Sequence, residues 1–232
     1  MKERLVCVDS DGCVIDSMEI KHRRCFGPCL VEVWHLERWE EPILKRWNQI
    51  NLYENTRGIN RFLGLEKILT FVNQTYCPIE GLQEYRQWCQ KGEKRMPEGG
   101  IFDLARIWSD KVNLAIAEIS GLIRPFEGAK EALAYLSQKA DVAVVSSANR
   151  EAIMEEWERF GLLPYVCEIF AQDSGSKAQA IALMLSRGYA KEKALMIGDA
   201  PGDKRAAQEN GIAFYPIIAG KENESWRNVL NL

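Results

Sequence analysis

Short runs that are apolar on both faces alternate with amphipathic stretches through much of the chain. The runs "RLVCVD" (4–9), "DVAVVSS" (141–147), "CEIFAQD" (167–173), "ALMIGD" (194–199) and "IAFYPI" (212–217) have the length and β-branched content of strands. Among them, "GAKEALAYLSQK" (128–139), "REAIMEEWERFGL" (150–162), "KAQAIALMLSRG" (177–188) and "DKRAAQENG" (203–211) carry apolar residues at helical spacing. A strand that is apolar on both faces needs helices over each, so the alternation predicts an α/β fold: a doubly wound, Rossmann-like parallel sheet.

The rhythm breaks between the first strand and residue 124. There the chain reads as consecutive helices, among them "LVEVWHLERWEEPILKRWNQI" (30–50), "GINRFLGLEKILTFVNQ" (58–74) and "FDLARIWSDKVNLAIAEIS" (102–120). The expected organisation is therefore an α/β domain made of residues 1–16 and 125–232, with an all-helical domain, 17–124, inserted in it. Trp34, Trp39, Trp47, Trp88 and Trp108 fall in that insertion. They either line a substrate pocket or, spaced along amphipathic helices, form its core.

Three of the expected strands end in polar residues: Asp9 to Asp11, Ser146 and Ser147, and Gly198 with Asp199. Ligands of open α/β sheets bind outside the carboxyl ends of the strands, so these ends are expected to converge on one site. Along extended chain, Asp9 and Asp11 project to the same side roughly 6 to 7 Å apart, with Ser10 turned away. Two such carboxylates suit one substrate, the first as nucleophile and the second as proton donor and later base. A strand closing in an ordinary Asp-Gly turn would carry the same letters.

Charge and composition narrow the classes. The 232 residues are 47% hydrophobic with a net charge of −3, enough for a substantial core and without a general basic surface for nucleic acid. No run of about 18 apolar residues is present to span a membrane. The apolar stretch after "MKER" is too short for a secretory segment, so a soluble, cytoplasmic protein is expected. Seven scattered cysteines suit a reducing compartment. Cys25 and Cys29 have helical spacing, but no second Cys or His pair supports zinc, and they read as buried thiols.

Taken together, "DSDGCVIDS" (9–17) resembles the first motif, DxDGTxxDS, of the haloacid dehalogenase-like hydrolase superfamily. The "VVSSAN" strand end is similar to its second motif, "GSKAQAI" to the third, and "MIGDAPGDKRAAQENG" to the fourth, GDxxxDxxAAxxxG. "RPFEGAKEAL" resembles the segment by which such chains return to the core from a helical cap. The position of the insertion is similar to that of the phosphoglycolate phosphatase and β-phosphoglucomutase-like branch. Cys13 departs from the pattern, which more often has threonine or valine, and the insertion is long for a cap.

The resemblance implies Asp9 as nucleophile, Asp11 as general acid and base, Ser146 as a donor to phosphate oxygens and Lys177 as a fixed cation. It implies Mg²⁺, held by Asp9, Asp199 and the Asp11 carbonyl, with Asp203 at the metal site, capping the following helix or orienting Lys177. Gly12, Ser147, Ala148 and Asn149 complete the expected substrate contacts of the α/β part. In the insertion, "YENTRGINRF" resembles the cap loop that dips into such sites. Arg57, Asn60 and Arg61 are therefore substrate-binding candidates beside the alternative of a solvated turn, and His22 a further one beside a capping or surface role.

A second acid at Asp11 argues for phosphate esters over dehalogenation or phosphonate cleavage, neither of which needs that proton donor. The implied function is a Mg²⁺-dependent phosphatase of a small phosphorylated metabolite. The alternatives are a phosphomutase on the same core and a non-enzymatic phospho-accepting domain. Partners beyond a small phosphate ester are not expected, and monomer and homodimer are equally compatible with the chain.

Overall fold

The computed structural model describes residues 2–93 and 95–231, and the chain divides into two compact units, Met1–Ser17 with Ile123–Leu232, and Met18–Leu122.

The described residues of the second unit form six α-helices: α1 (Met18–Lys21), α2 (Gly27–Val33), α3 (Glu40–Asn48), α4 (Arg61–Thr75), α5 (Leu82–Lys91) and α6 (Gly100–Ile119). The expectation of one continuous helix over 30–50 is corrected. α2 ends at Val33, and His35 takes the left-handed conformation at φ 53°. The His35 N–H then donates to Glu32 and the Leu36 N–H to Val31, a Schellman closure that buries Leu36. Periodicity continues through this corner because Leu36 keeps its place in the core, so the pattern alone hides the break. Trp47, Trp108 and Tyr85 are fully buried in that core, with Trp34, Trp39 and Trp88 packed partly against it. Of the two readings of these tryptophans, the structure gives the core.

The first unit holds strands β1 (Arg4–Val8), β2 (Ile15–Asp16), β3 (Arg124–Pro125), β4 (Ala140–Val145), β5 (Glu168–Phe170), β6 (Ala194–Gly198) and β7 (Ala213–Pro216). Five form a parallel sheet in the order β5-β4-β1-β6-β7, and β2 pairs antiparallel with β3. The sheet strands are those expected. The two-residue β2 and β3 are too short to leave a periodic signal, and they pair where the chain leaves and re-enters the unit.

Helices α7 (Ala129–Lys139), α8 (Arg150–Arg159), α9 (Lys177–Leu185), α10 (Pro201–Asn210) and α11 (Glu222–Val229) flank the sheet. Leu5 and Cys7 pack with Ala180, Ile181, Met184, Ala206 and Ala207 of α9 and α10, while Val6 and Val8 are buried on the opposite face. Val8 lies level with Val144 on one side and Ile197 on the other, so β1, β4 and β6 finish together. That register sets Asp9, Ser146 and Asp199 at one edge of the sheet.

Candidate active site

β1 ends at Val8, and the Asp9 N–H carries the pairing one residue further by donating to the Ile197 carbonyl at 3.0 Å. The chain then turns tightly: the Ser10 carbonyl accepts from the amides of Cys13, Val14 and Ile15. Gly12 stands at φ 79°, a conformation in which a side chain would be strained, and its N–H donates to the Ile15 carbonyl. Ser10 is turned into the core, where its hydroxyl accepts from the Trp157 indole at 2.9 Å. Asp11 is half-buried and accepts from the Ser17 hydroxyl.

Carboxylate oxygens of Asp9, Asp199 and Asp203 lie within 4.8 Å of one another. Lys177 reaches this group from the first turn of α9, whose N-cap Ser176 exchanges hydrogen bonds with Gln179. Its ammonium is 2.7 Å from Asp9 Oδ2 and 2.5 Å from Asp203 Oδ1. The other Asp203 oxygen accepts from the Ala200 N–H at 3.0 Å, so Asp203 both caps the start of α10 and orients Lys177. This approach requires Gly198: a Cβ there would stand 2.4 Å from Asp203 Oδ2.

Burial pushes the Asp9 carboxyl well above the usual carboxylate range; Lys177 opposes this, and the charges of Asp203 and Asp199 add to it. Desolvation works against the Lys177 ammonium, but Asp203 and Asp9 outweigh it and hold its pKa above the ordinary lysine value. Asp9 and Asp203 share the Lys177 ammonium, and Asp199 adds a third carboxylate to the group. The donors are all hard carboxylate oxygens, a set that fits a divalent cation of the Mg²⁺ or Ca²⁺ type. The Asp11 side chain is not among the three clustered carboxylates. Cys13 is fully buried, and burial together with Asp199 and Asp9 keeps its thiol protonated.

Ser146 is buried at the end of β4. Its N–H donates to Phe170, and its hydroxyl accepts from the Ala148 N–H at 3.2 Å. Ser147, Ala148 and Asn149 are half-buried, and Asn149 caps α8 by accepting from Ala152 at 3.2 Å. The α/β candidates thus lie on the strand-end segments of β1, β4 and β6 and at the starts of α8, α9 and α10.

The remaining candidates belong to the helical unit. Asn60 caps α4 by accepting from Phe62 at 2.9 Å. Arg61 donates to Ser109 and Asn113 and lies over the Phe26 ring. Arg57 donates to the Leu52 carbonyl at 3.0 Å. His22 Nδ1 accepts from the Trp47 indole at 3.1 Å, and its ring stacks on Phe26.

Sequence reasoning missed three residues that hold the Asp9–Ser17 turn, Ser17 within it and two tryptophans that bond to it. Ser17 was visible as the last letter of the first motif. Trp157 stands on an expected helix whose inward face could be read, whereas Trp226 lies on α11, an eight-residue helix too short for a periodic signal.

No helix among the described residues is long and apolar enough to cross a membrane. A comparison with curated proteins gives no match. Solved structures similar to this one include a protein assigned as a haloacid dehalogenase-like hydrolase from Bacteroides fragilis, 16% identical with TM-score 0.63, covering 97% of this chain and 93% of that one. Another, assigned as a phosphoglycolate phosphatase from Lactobacillus plantarum, is 12% identical with TM-score 0.59 over 97% and 91%. A third, assigned as a β-phosphoglucomutase from Thermotoga maritima, is 16% identical with TM-score 0.58 over 98% and 97%. At these identities the likeness is one of fold. The sequence model of haloacid dehalogenase-like hydrolases matches residues 49–217, well over half of the chain and inclusive of Ser146, Lys177, Asp199 and Asp203. The chain belongs to the haloacid dehalogenase-like hydrolase family.

Proposed function

We propose that this protein is a Mg²⁺-dependent phosphatase of a small phosphorylated metabolite, working through a phosphoenzyme at Asp9. The observation that carries the reading is the clustered set of Asp9, Asp199 and Asp203, with Lys177 paired to Asp9 and Asp203 and a second acid, Asp11, two residues past Asp9. An Asp9 oxygen attacks phosphorus, the ester oxygen departs with a proton from Asp11, and Asp9 is left as an acyl phosphate. Asp11, now a carboxylate, then takes a proton from the water that attacks the same phosphorus, which restores both acids.

A carboxylate approaching a phosphate dianion meets like-charge repulsion, so positive charge has to be fixed beforehand. Lys177 supplies one such charge, and Ser146 offers a hydroxyl to a phosphoryl oxygen. Mg²⁺, held by Asp9 and Asp199 with Asp203 beside them, would supply further positive charge to the phosphoryl oxygens. The free thiols of all seven cysteines are consistent with a cytoplasmic location.

A phosphomutase is the second reading, favoured by the near-equal likeness to structures assigned to the two activities. A screen of phosphorylated metabolites, with p-nitrophenyl phosphate as the common reference, tests both. The phosphatase reading expects Mg²⁺-dependent phosphate release from at least one metabolite, abolished by chelation and by Asp9→Asn. Sugar phosphate interconversion stimulated by a bisphosphate, with little release, would replace it by the mutase. Turnover that survives Asp9→Asn would remove the mechanism.

A further inference from the structure

The Asp9–Ser17 turn is tied to the rest of its unit by two indole groups that come from distant parts of the chain. Trp157 of α8 donates to the Ser10 hydroxyl at 2.9 Å, and Trp226 of α11 donates to the Cys13 carbonyl at 2.7 Å. All four residues are fully buried. An indole carries one donor and no acceptor, so when buried it must be matched to an acceptor in one place. Here the two acceptors bracket Asp11 and Gly12, one on each side.

The two acids of the turn are held differently. Asp9 is fixed through its backbone, by donation to Ile197 in the sheet, and through its carboxylate, by Lys177. Asp11 lies beyond the end of β1 and is half-buried. Its side chain accepts from Ser17, the following Gly12 N–H donates to Ile15, and its backbone runs between Ser10 and Cys13, the two residues that the indoles hold. The tryptophan rings are rigid posts with few torsions to lose, so they hold those two residues at little entropic cost.

We propose that Trp157 and Trp226 are positioning residues that set the proton-donating acid, Asp11, through Ser10 and Cys13. The inference rests on the phosphatase reading and adds a specific division of labour to it. The sheet and Lys177 aim the nucleophile, and the two indoles aim the acid. Loss of an indole N–H should therefore act as a weakened form of losing Asp11. A misplacement on the order of 1 Å costs about 10²-fold in such steps, so a partial release is expected to cost about 10-fold.

The test compares Trp157→Phe and Trp226→Phe with the wild type on p-nitrophenyl phosphate and on whichever alkyl phosphate the wild type turns over fastest. Rates are taken per folded molecule, counted by circular dichroism. The expected result is a kcat about 10-fold lower for the alkyl ester, whose leaving oxygen needs the proton. For p-nitrophenyl phosphate the loss should be about twofold or less, and KM should be near wild type for both. Ser10→Ala should reproduce Trp157→Phe, and the double variant should be no worse than either single one. If Trp226→Phe does not fold, benzothienylalanine at position 226 keeps the ring shape and removes only the N–H.

Equal losses on both esters, or unchanged kcat, would overturn the inference. An inactive wild type, or one unaffected by Asp9→Asn, would instead overturn the phosphatase reading beneath it.

Discussion

Among the buried side chains of the helical unit, the largest are Trp47, Trp108 and Tyr85, with Lys21 and Asn51 as the polar members. The α/β unit buries Asp9, Ser10, Ser17, Ser146 and Asp203 close to the carboxyl ends of its strands. In the first case polar atoms serve the packing. The Trp47 indole meets His22, the Trp108 indole meets the Phe26 carbonyl, and the Asn51 amide meets the Trp47 carbonyl. In the second, packing serves polar atoms: Gly198 is bare so that Asp203 can approach, and Trp157 and Trp226 point their N–H groups at a turn. Aromatic burial stabilises a fold, whereas clustered carboxylates strain it unless something opposes their charge. The comparison teaches which unit carries stability in reserve and which carries chemistry at its expense.

The sharpest way to break that contrast is to remove the Lys177 ammonium from the acid cluster. Lys177→Met leaves Asp9 and Asp203 facing each other in the interior with no partner ammonium. Breaking a buried pair in this way costs about 3 to 5 kcal/mol, which urea denaturation at neutral pH in chelator should register. The sign with pH follows from the Asp9 carboxyl, already raised by burial and losing the group that opposed the rise. Acidification neutralises it, so the deficit relative to wild type should shrink as pH falls. Phosphate release should be lost at every pH. A deficit that grows in acid would mean that it does not arise from the charge of Asp9.

Gly198→Ala probes the same unit with a methyl group. The new Cβ would stand 2.4 Å from one Asp203 oxygen and 2.5 Å from its Cβ, so β6 and α10 must part. Overpacking of this kind costs about 1 to 3 kcal/mol. Because the displaced residue orients Lys177 and caps α10, the expected signature is a larger loss of activity than of stability. Titrating phosphate release against Mg²⁺ should show a shifted metal requirement. An unchanged requirement would detach Asp203 from the metal.

Both variants lie where the sequence was most legible. Asp9, Lys177, Asp199 and Asp203 could be read because a parallel sheet delivers its strand ends to one edge and four separated motifs then fall together. What escaped was set by contacts rather than pattern. The closure at His35 keeps Leu36 in phase with the helical period, β2 and β3 last two residues each, and the partner of the Trp226 indole lies 213 residues away. Asn149 and Asn60 stand in loops and are substrate-binding candidates by sequence. Each also caps a helix, a role visible only once the helix starts are fixed.

A smaller effect is expected in the helical core. Trp108→Phe removes part of a fully buried ring and the bond to the Phe26 carbonyl, a change worth about 1 to 3 kcal/mol. Thermal denaturation should follow it, while kcat on the alkyl phosphate used for Trp226→Phe, per folded molecule, stays at the wild-type value. A fall in that kcat comparable to the loss from Trp226→Phe would erase the distinction between the two sets of tryptophans.

The smallest expected effect on the common reference substrate, and the most selective, is at Arg57. Its guanidinium donates to the Leu52 carbonyl and its backbone N–H to Glu54, so the residue helps shape the glycine-interrupted turn in which it sits. A guanidinium is a planar fork of five donors, and it suits an anionic or hydroxyl-rich group remote from the transferred phosphorus. If Arg57 reads the metabolite, Arg57→Ala should lower kcat/KM for it about 10-fold, the worth of a charged hydrogen bond, and leave p-nitrophenyl phosphate untouched. Arg61→Ala is the control within the same unit. Its guanidinium is committed to Ser109, Asn113 and the Phe26 ring, so its loss should lower the melting temperature without changing the ratio of the two substrates. If Arg57→Ala behaves as Arg61→Ala does, Arg57 belongs with the residues that build the helical unit, and substrate choice rests elsewhere.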